Sequence, residues 1–299
     1  HNRCRRQRQM CIRDRDELNI KLRTITLPSD RTAKNFYEAN GITARILLMR
    51  KSVIKLATDL DGTIYKGNKL IEGVKDSYEN LIDNDVEIYF ITNNSSQTPC
   101  EIKEKLETLL QSEIDINKII TPLNVLKKMF LNQTTNIYVY GSSNLKQFVE
   151  SINLCLTNID QADLILIGRK SELDLTEIEL IKSSIKNGKQ VLCLNKDLSF
   201  PSEDEELPGN GAVVKMIEDD LEITITSLGK PDLHFIKYCS DHNYNFDYVI
   251  GDRVDTDIFF GKQINAITIL VETGVKNFES TKFADIKLKS FSEVVSFIS

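Results

Sequence analysis

The sequence predicts an α/β protein with a doubly wound parallel sheet and a second α/β unit inserted into it. From Ser52 onward, short apolar runs alternate with amphipathic segments, which is typical of strands that alternate with helices. Several of these runs end at aspartate, threonine or asparagine, and ligands bind beyond such strand ends in doubly wound sheets. At 299 residues the chain also exceeds one average domain, so we expect two.

The first series of elements begins with the apolar run 53–58, which ends at Asp59 and is predicted to be a buried parallel strand. A helix is predicted near 73–84 from apolar residues at helical spacing, and the next strand over 86–91. Pro99 is expected in the first turn of another helix, where its missing N–H costs nothing. These elements form the first half of the predicted sheet.

A second series begins after about residue 122. Its predicted elements are strands 136–140, 164–167 and 190–194 and helices 144–151 and 176–186. The chain then returns to the first sheet with helices 233–240 and 257–263 and strands 248–250 and 266–271. Strand–helix alternation of this kind implies parallel sheets with right-handed crossovers.

The predicted organisation divides the chain into an extension over 1–48, a catalytic core made of 49–121 and 227–299, and an α/β cap over 122–226. The extension carries 11 Lys/Arg against 5 Asp/Glu, unlike the acidic remainder. It is either a nucleic-acid or membrane-binding arm or a remnant from an upstream reading frame. We expect the second, and therefore expect the extension to lie outside the fold.

Composition narrows the class of protein and its partners. The net charge of −6 lies on an acidic body, which argues against nucleic-acid binding, and no apolar run reaches the ~18 residues of a membrane helix. The six cysteines are scattered and never form a Cys-x-x-Cys pair, so thiols in a reducing cytoplasm are favoured over a disulfide framework. Whether the chain forms a homo-oligomer stays an open question at this point.

Reactive side chains follow four strand or loop ends. They are Asp59 with Asp61, Thr92 with Asn93, Lys230, and Asp252 with Asp257. One acidic strand end is ordinary turn chemistry, but four ends that converge in one parallel sheet predict a functional site.

Phosphoryl transfer fits this set of side chains. A carboxylate can attack phosphorus and form an aspartyl-phosphate, which splits hydrolysis into two easier steps. Because the carboxylate and the phosphate repel each other, a divalent cation and a lysine are needed, and oxygen ligands without histidine favour Mg²⁺. A second carboxylate two residues after the first can protonate the leaving oxygen and then activate water.

Four segments resemble, in order, the four motifs of haloacid dehalogenase-type phosphatases. They are Asp-Leu-Asp-Gly-Thr-Ile-Tyr at 59–65, Thr-Asn-Asn at 92–94, Gly-Lys-Pro at 229–231 and Gly-Asp-Arg-Val-Asp-Thr-Asp-Ile at 251–258. The residues within these motifs are similar to those of the NagD/p-nitrophenyl phosphatase branch, which has a large α/β cap. Segments 195–201 and 208–212 resemble the signature of that cap. The resemblance extends from about Val53 to the C-terminus.

The resemblance implies three catalytic residues. Asp59 would be the nucleophile and a metal ligand. Asp61 would be the general acid/base, and its backbone carbonyl would also bind the metal. Lys230 would bridge Asp59 and the phosphoryl group.

The resemblance also implies the binding residues. Thr92 and the Asn93 amide would hold phosphoryl oxygens. Asp252 would bind the metal directly, and Asp257 would support it through water or hydrogen bonds. Asp255, a third acid in this loop, is expected to be solvated or to cap the following turn.

Other polar residues have weaker signals. Asn195 and Asp197 would face the substrate from the cap or, equally, would stabilise the turn before Pro201. His234 and His242 are expected in surface or packing roles, since Asp61 already takes the acid/base work.

The predicted function is Mg²⁺-dependent hydrolysis of small phosphate monoesters such as nucleotides, sugar phosphates or phosphoglycolate. A dehalogenase is disfavoured because related dehalogenases lack an acid at the position of Asp61. A phosphonate hydrolase would need a cap lysine that forms a Schiff base, and none can be identified from the sequence. A catalytically silent module that binds phosphorylated metabolites is the remaining alternative. Four residues argue against it, since loss of any one would silence the site: Asp59, Asp61, Lys230 and Asp252.

Overall fold

The computed structural model describes residues 53–201, 206–274 and 281–298, which belong to one compact unit, Val53–Ser299. The predicted extension 1–48 therefore lies outside the described residues. None of the described helices combines the length and the apolar character that a membrane crossing requires.

The first sheet has six strands, which all pair in parallel. In chain order they are β1 (Lys55–Thr58), β4 (Glu87–Ile91), β5 (Ile119–Ile120), β13 (Tyr248–Gly251), β14 (Ile267–Val271) and β15 (Ile286–Leu288). Their order across the sheet is β15-β14-β13-β1-β4-β5, so β1 lies at the centre beside β13 and β4. The carboxyl ends of these three neighbouring strands consequently meet at one edge.

A second parallel sheet has five strands. They are β6 (Asn136–Tyr140), β7 (Cys155–Leu156), β8 (Leu164–Ile167), β9 (Gln190–Cys193) and β12 (Thr226–Ser227), in the order β12-β9-β8-β6-β7. Two antiparallel pairs complete the described strands: β2 (Tyr65–Lys66) with β3 (Lys69–Leu70), and β10 (Ser199–Pro201) with β11 (Glu206–Pro208).

The described α-helices follow the strands in the expected alternation. They are α1 (Val74–Asp83), α2 (Pro99–Leu110), α3 (Pro122–Met129), α4 (Ser143–Ser151), α5 (Leu175–Lys186), α6 (Asn210–Leu221), α7 (Leu233–Asp241), α8 (Phe259–Gln263) and α9 (Val295–Ile298). A π-helical turn, Val254–Ile258, precedes α8.

Apolar side chains cover both faces of the first sheet. Leu56 and Ala57 are adjacent in β1 and fully buried, and they belong to different hydrophobic clusters because successive strand residues point to opposite faces. The cluster that contains Leu56 includes α1 and α2. The cluster that contains Ala57 includes Phe235 and Phe260 of α7 and α8 and also Leu166 of the second sheet. One continuous apolar cluster thus contacts both sheets.

The sequence prediction of the fold class is confirmed, and the major strands and helices lie within a few residues of their predicted bounds. Helices α3 and α6 were not predicted. The division into a core and an inserted cap stays a prediction, although the two sheets match its plan. One expectation is wrong: Lys230 does not follow a strand of the first sheet, because the preceding strand, β12, pairs with β9 in the second.

Helix α2 offers a test of local stability. Thr98 and Glu101 form a capping box in which the Thr98 hydroxyl accepts from the Glu101 N–H at 3.3 Å and the Glu101 carboxylate accepts from the Thr98 N–H at 2.7 Å. Thr98→Ala should lower the free energy of unfolding by ~1 kcal/mol, measured by urea denaturation. Thr108→Ala is the control: its exposed hydroxyl bonds the Glu104 carbonyl inside the same helix, and alanine there should cost nothing. Equal losses in the two variants would contradict the capping role.

Candidate active site

Three buried carboxylates meet at the carboxyl edge of the first sheet. Asp59 directly follows β1, and Asp252 and Asp257 follow β13, the neighbouring strand. One carboxylate oxygen from each lies within 4.8 Å of the others. All three residues are buried, with Asp59 the most exposed at 8%.

Lys230 lies among these acids. Its Nζ donates to Asp59 Oδ1 and to Asp257 Oδ1, both at 2.7 Å, and to the backbone carbonyl of Ile91 at 3.0 Å. Burial by itself would lower the pKa of the Lys230 ammonium, but the carboxylates of Asp257 and Asp59 outweigh burial and raise it. Lys230 is therefore a fixed positive charge that joins the loops after β1 and β13.

The three carboxylates carry more negative charge than Lys230 neutralises. Burial raises the pKa of Asp59 well above its ordinary value; Lys230 opposes this shift, while Asp257 and Asp252 add to it. Close, buried carboxylates of this kind are hard oxygen ligands, so they fit a divalent cation such as Mg²⁺. A cation held by Asp59, Asp252 and Asp257 would offset their repulsion.

Asp61 lies two residues after Asp59 but outside the carboxylate cluster. Gly62 follows it with a φ of +88°, a backbone conformation that favours glycine, and turns the chain into the β2–β3 hairpin. Burial raises the pKa of the Asp61 carboxyl, against the charge of Lys105 and a hydrogen bond from Asn94. A carboxyl that keeps its proton to higher pH is suited to donate it.

Asn93 connects the two sheets at the site. Its side chain accepts from the Lys230 N–H at 2.7 Å and donates to the Lys230 carbonyl at 3.0 Å. The same amide nitrogen donates to Asp197 Oδ1 at 2.9 Å. In addition, the Asn195 side chain donates to the Asn93 carbonyl at 2.6 Å. The loop after β4 is thus tied to the loops after β12 and β9.

Asn195 and Asp197 lie in the loop after β9, which α6 holds in place. Asn210 at the start of α6 donates to the Asn195 carbonyl at 2.9 Å. A Cβ at Gly211 would come within 2.1 Å of the Lys196 carbonyl oxygen, so glycine is required for this close approach. Burial raises the pKa of the Asp197 carboxyl to about 6, opposed chiefly by the charge of Arg253.

A cavity of about 100 Å³ lies between the two sheets at these strand ends. Asp59, Asp61, Thr92, Asn93 and Lys230 line it on one side. On the other side it is lined by residues of the second sheet and the β10–β11 hairpin, which are Arg169, Asn195, Asp197, Ser199, Gly209 and Asn210. Arg253 and Thr256 line it from the loop after β13, and Asn94, Ser95 and Ser96 line it from the loop after β4.

The structure thus brings together the side chains that the sequence singled out, with Asp252 and Asp257 beneath the cavity lining. Sequence reasoning missed Arg169, although it follows β8 and the strand-end rule could have found it. Asp255 is exposed and accepts from the Arg253 guanidinium at 2.7 and 3.1 Å, away from the carboxylate cluster.

Three other polar residues, His234, His242 and Cys193, do not line the cavity. His234 and His242 lie on α7 and directly after it, and the His242 ring contacts the Tyr238 ring at a tilt. Cys193 is fully buried at the end of β9, and burial raises the pKa of its thiol to about 12. A thiol that stays protonated is a packing residue rather than a nucleophile.

The chain is a doubly wound α/β protein with a buried acid cluster and a lysine at the carboxyl edge of its sheet. Comparisons with known proteins define its class further. The haloacid dehalogenase-like hydrolase family matches residues 56–155, and the HAD-hydrolase-like family matches residues 227–293. Together they cover more than half of the chain. The chain belongs to the haloacid dehalogenase-like hydrolases, as its sequence motifs predicted.

Individual relatives agree with this family. An acid sugar phosphatase of Staphylococcus epidermidis is 29% identical over 245 residues, which are 80% of this chain and 92% of the relative. The p-nitrophenyl phosphatase from Archaeoglobus fulgidus superposes with a TM-score of 0.72 at 22% identity, over 81% of this chain and 98% of that one. A glycerol phosphate phosphatase of Mycobacterium tuberculosis, in complex with magnesium, has a TM-score of 0.65 at 22% identity, over 78% and 73% of the two chains. The family match and the phosphatase names of these relatives confirm the prediction of a phosphoric monoester hydrolase.

The raised pKa of Asp197 predicts a pH-dependent stability. Because the folded state holds this proton up to about pH 6 and the unfolded state releases it near pH 4, stability should fall as the pH rises between these values. Asp197→Asn should make this pH-dependent fall in the free energy of unfolding smaller by about 1–3 kcal/mol, measured by urea unfolding from pH 4 to 7. The exposed Asp160→Asn is the control and should leave the fall unchanged. An Asp197→Asn profile as steep as that of the unaltered protein would contradict the assignment.

Proposed function

We propose that this hydrolase cleaves small phosphate monoesters with the help of Mg²⁺ and through an aspartyl-phosphate on Asp59. The observation that carries the proposal is the Lys230 ammonium, 2.7 Å from Asp59 Oδ1, at the floor of a cavity that Asp61 also lines. This arrangement supplies a nucleophile, a neutralising cation and a proton donor to one small volume. The acid sugar phosphatase relative supports sugar phosphates among the substrates.

In the proposed first step, Asp59 attacks phosphorus while the P–O bond of the ester breaks. Lys230 holds Asp59 Oδ1, so Oδ2 is the attacking oxygen. Asp61 gives its proton to the leaving oxygen, and its raised pKa supports this role. The products of this step are a free alcohol and a phosphoryl group on Asp59.

In the proposed second step, the Asp61 carboxylate takes a proton from water, and the water oxygen attacks phosphorus. The Asp59–phosphorus bond breaks, which releases inorganic phosphate and restores the Asp59 carboxylate. Thr92 and Asn93 line the cavity at the end of β4. The Thr92 hydroxyl and the Asn93 N–H would hold phosphoryl oxygens. Lys230 offsets negative charge in both steps.

Mg²⁺ would be held by Asp59, Asp252 and Asp257, with the Asp61 carbonyl as a further ligand that the resemblance implies. When bound, the ion would neutralise carboxylate and phosphoryl charge, so that the anionic nucleophile and the anionic ester can approach. The buried carboxylate cluster supports this choice, and a relative with the same fold was solved with magnesium.

The second sheet supports a preference for small substrates. Its loops close one side of a cavity of about 100 Å³, which is small beside typical ligand pockets. Hydrogen bonds of Asn93 with Asp197 and Asn195 at the cavity wall support this closed arrangement. A cap of this kind would exclude water and macromolecular phosphates during the reaction.

The nucleophile can be tested with a panel of phosphate esters, assayed with and without Mg²⁺. Asp59→Asn should lower kcat by at least ~10³-fold, since the amide cannot form the intermediate. In unaltered protein, acid quenching during turnover should trap ³²P on the chain, and Asp59→Asn should trap none. If no ester is turned over by the unaltered protein, the phosphatase proposal fails and the silent binding module is favoured.

The metal site can be tested through binding rather than activity. Asp257→Asn should raise the apparent Kd for Mg²⁺ by about 10–100-fold, measured from the Mg²⁺-dependent rise in Tm. Asp255→Asn, two residues away on the exposed side of the same turn, is the matched control and should leave that Kd within about twofold. Equal effects of the two substitutions would contradict a site built on the carboxylate cluster.

A further inference from the structure

Arg169 lies on the cavity wall that the second sheet provides. It follows β8 after Gly168, and backbone hydrogen bonds fix both residues: the Gly168 N–H donates to the Tyr140 carbonyl at 2.7 Å, and the Ser142 N–H donates to the Arg169 carbonyl at 3.0 Å. A Cβ at Gly168 would come within 2.3 Å of Leu145. The backbone at the base of the Arg169 side chain is therefore closely packed.

The next residue, Lys170, has a different role. It forms ion pairs with Glu177 and with Asp174, the latter at 3.6 Å, at the start of α5. Lys170 does not line the cavity, whereas Arg169 does. Two adjacent cations thus serve different purposes: one anchors α5, and the other brings positive charge to the cavity.

Two other cations, Lys230 and Arg253, also line the cavity. Lys230 donates to Asp59 and Asp257. The Arg253 guanidinium donates to both Asp255 oxygens and to the Ser199 carbonyl at 3.1 Å. Arg169 is distinguished by its place across the cavity from the carboxylate cluster, on the second sheet.

The electrostatic neighbour of Arg169 is Asp61. Burial lowers the pKa of the guanidinium, and the Asp61 carboxylate opposes that shift. Asp61 is the residue that would protonate the leaving oxygen, so the part of the substrate beyond that oxygen must lie on the Asp61 side of the cavity. Arg169 and Asp61 line the same cavity, so a guanidinium there would face the leaving group rather than the phosphoryl group.

We propose that Arg169 recognises an anionic group, a carboxylate or a second phosphate, on the leaving-group side of the substrate. The preferred substrates are then phosphate monoesters of short hydroxy acids or bisphosphates rather than esters of neutral alcohols. A planar guanidinium suits either anion, since its N–H groups match a pair of oxygens. This inference rests on the proposed phosphatase function and specifies the substrate class for the same site.

A matched pair of esters tests the proposal: 2-phosphoglycolate and 2-hydroxyethyl phosphate, which differ only in a carboxylate against a hydroxymethyl group. The unaltered protein with Mg²⁺ should hydrolyse 2-phosphoglycolate with at least ~10-fold higher kcat/KM, the size of one charge-assisted hydrogen-bonded pair. Arg169→Gln should lower that ratio about tenfold. Lys170→Gln, which removes the adjacent cation, should leave the ratio within about twofold.

The outcomes separate the two proposals. If the unaltered protein hydrolyses neither ester nor any other in the panel, the phosphatase function itself fails. If it hydrolyses both with similar kcat/KM, recognition of an anion by Arg169 is overturned, whether or not Arg169→Gln folds. A ratio that Arg169→Gln leaves unchanged, or that Lys170→Gln lowers equally, also overturns it. A shared loss on both esters would show that Arg169 only positions Asp61.

Discussion

The ammonium of Lys230 is the interaction on which the rest of the site depends. It lies between Asp59 and Asp257 and bonds the carbonyl at the end of β4, so one group fixes three strand ends of the first sheet. Breaking such a buried pair by removing one partner leaves an uncompensated charge, which typically costs 3–5 kcal/mol. Because Lys230 follows β12 of the second sheet, the same bonds also join the two sheets.

Asn93 has a complementary function. It bonds the backbone of Lys230 on both its N–H and its carbonyl, and it contacts Asp197 and the Asn195 side chain as well. The residue that would present its own N–H to a phosphoryl oxygen thus also holds the loop after β9. Asn93 therefore ties the end of β4 to the loops that carry Lys230 and Asp197.

The sequence predicted which side chains meet at the site better than how they are arranged. Asp59, Thr92 and Asp252 were recognisable because each ends an apolar run, and the position of a strand end follows from local pattern alone. The sheet to which Lys230 belongs could not be predicted, since β12 has two residues and its pairing with β9 is a long-range contact. Helix α6 was not predicted because glycine is a poor helix former and 208–212 was noted only for its resemblance to the cap signature. Gly209 and Gly211 there serve the close approach to the loop after β9.

The glycines around the carboxylates have a consequence for how such a protein can change. A Cβ at Gly251 would come within 2.2 Å of the Asp257 carboxyl, and one at Gly274 within 1.8 Å of Asp252 Oδ2, so the chemical half of the site tolerates almost no substitution. Arg169 lies on a different sheet, at the end of a separate strand. Under the proposed role of Arg169, a substitution there would change which esters are accepted and leave the carboxylate cluster in place. The division of the site between two sheets thus separates a tightly packed half from one whose side chains can change independently.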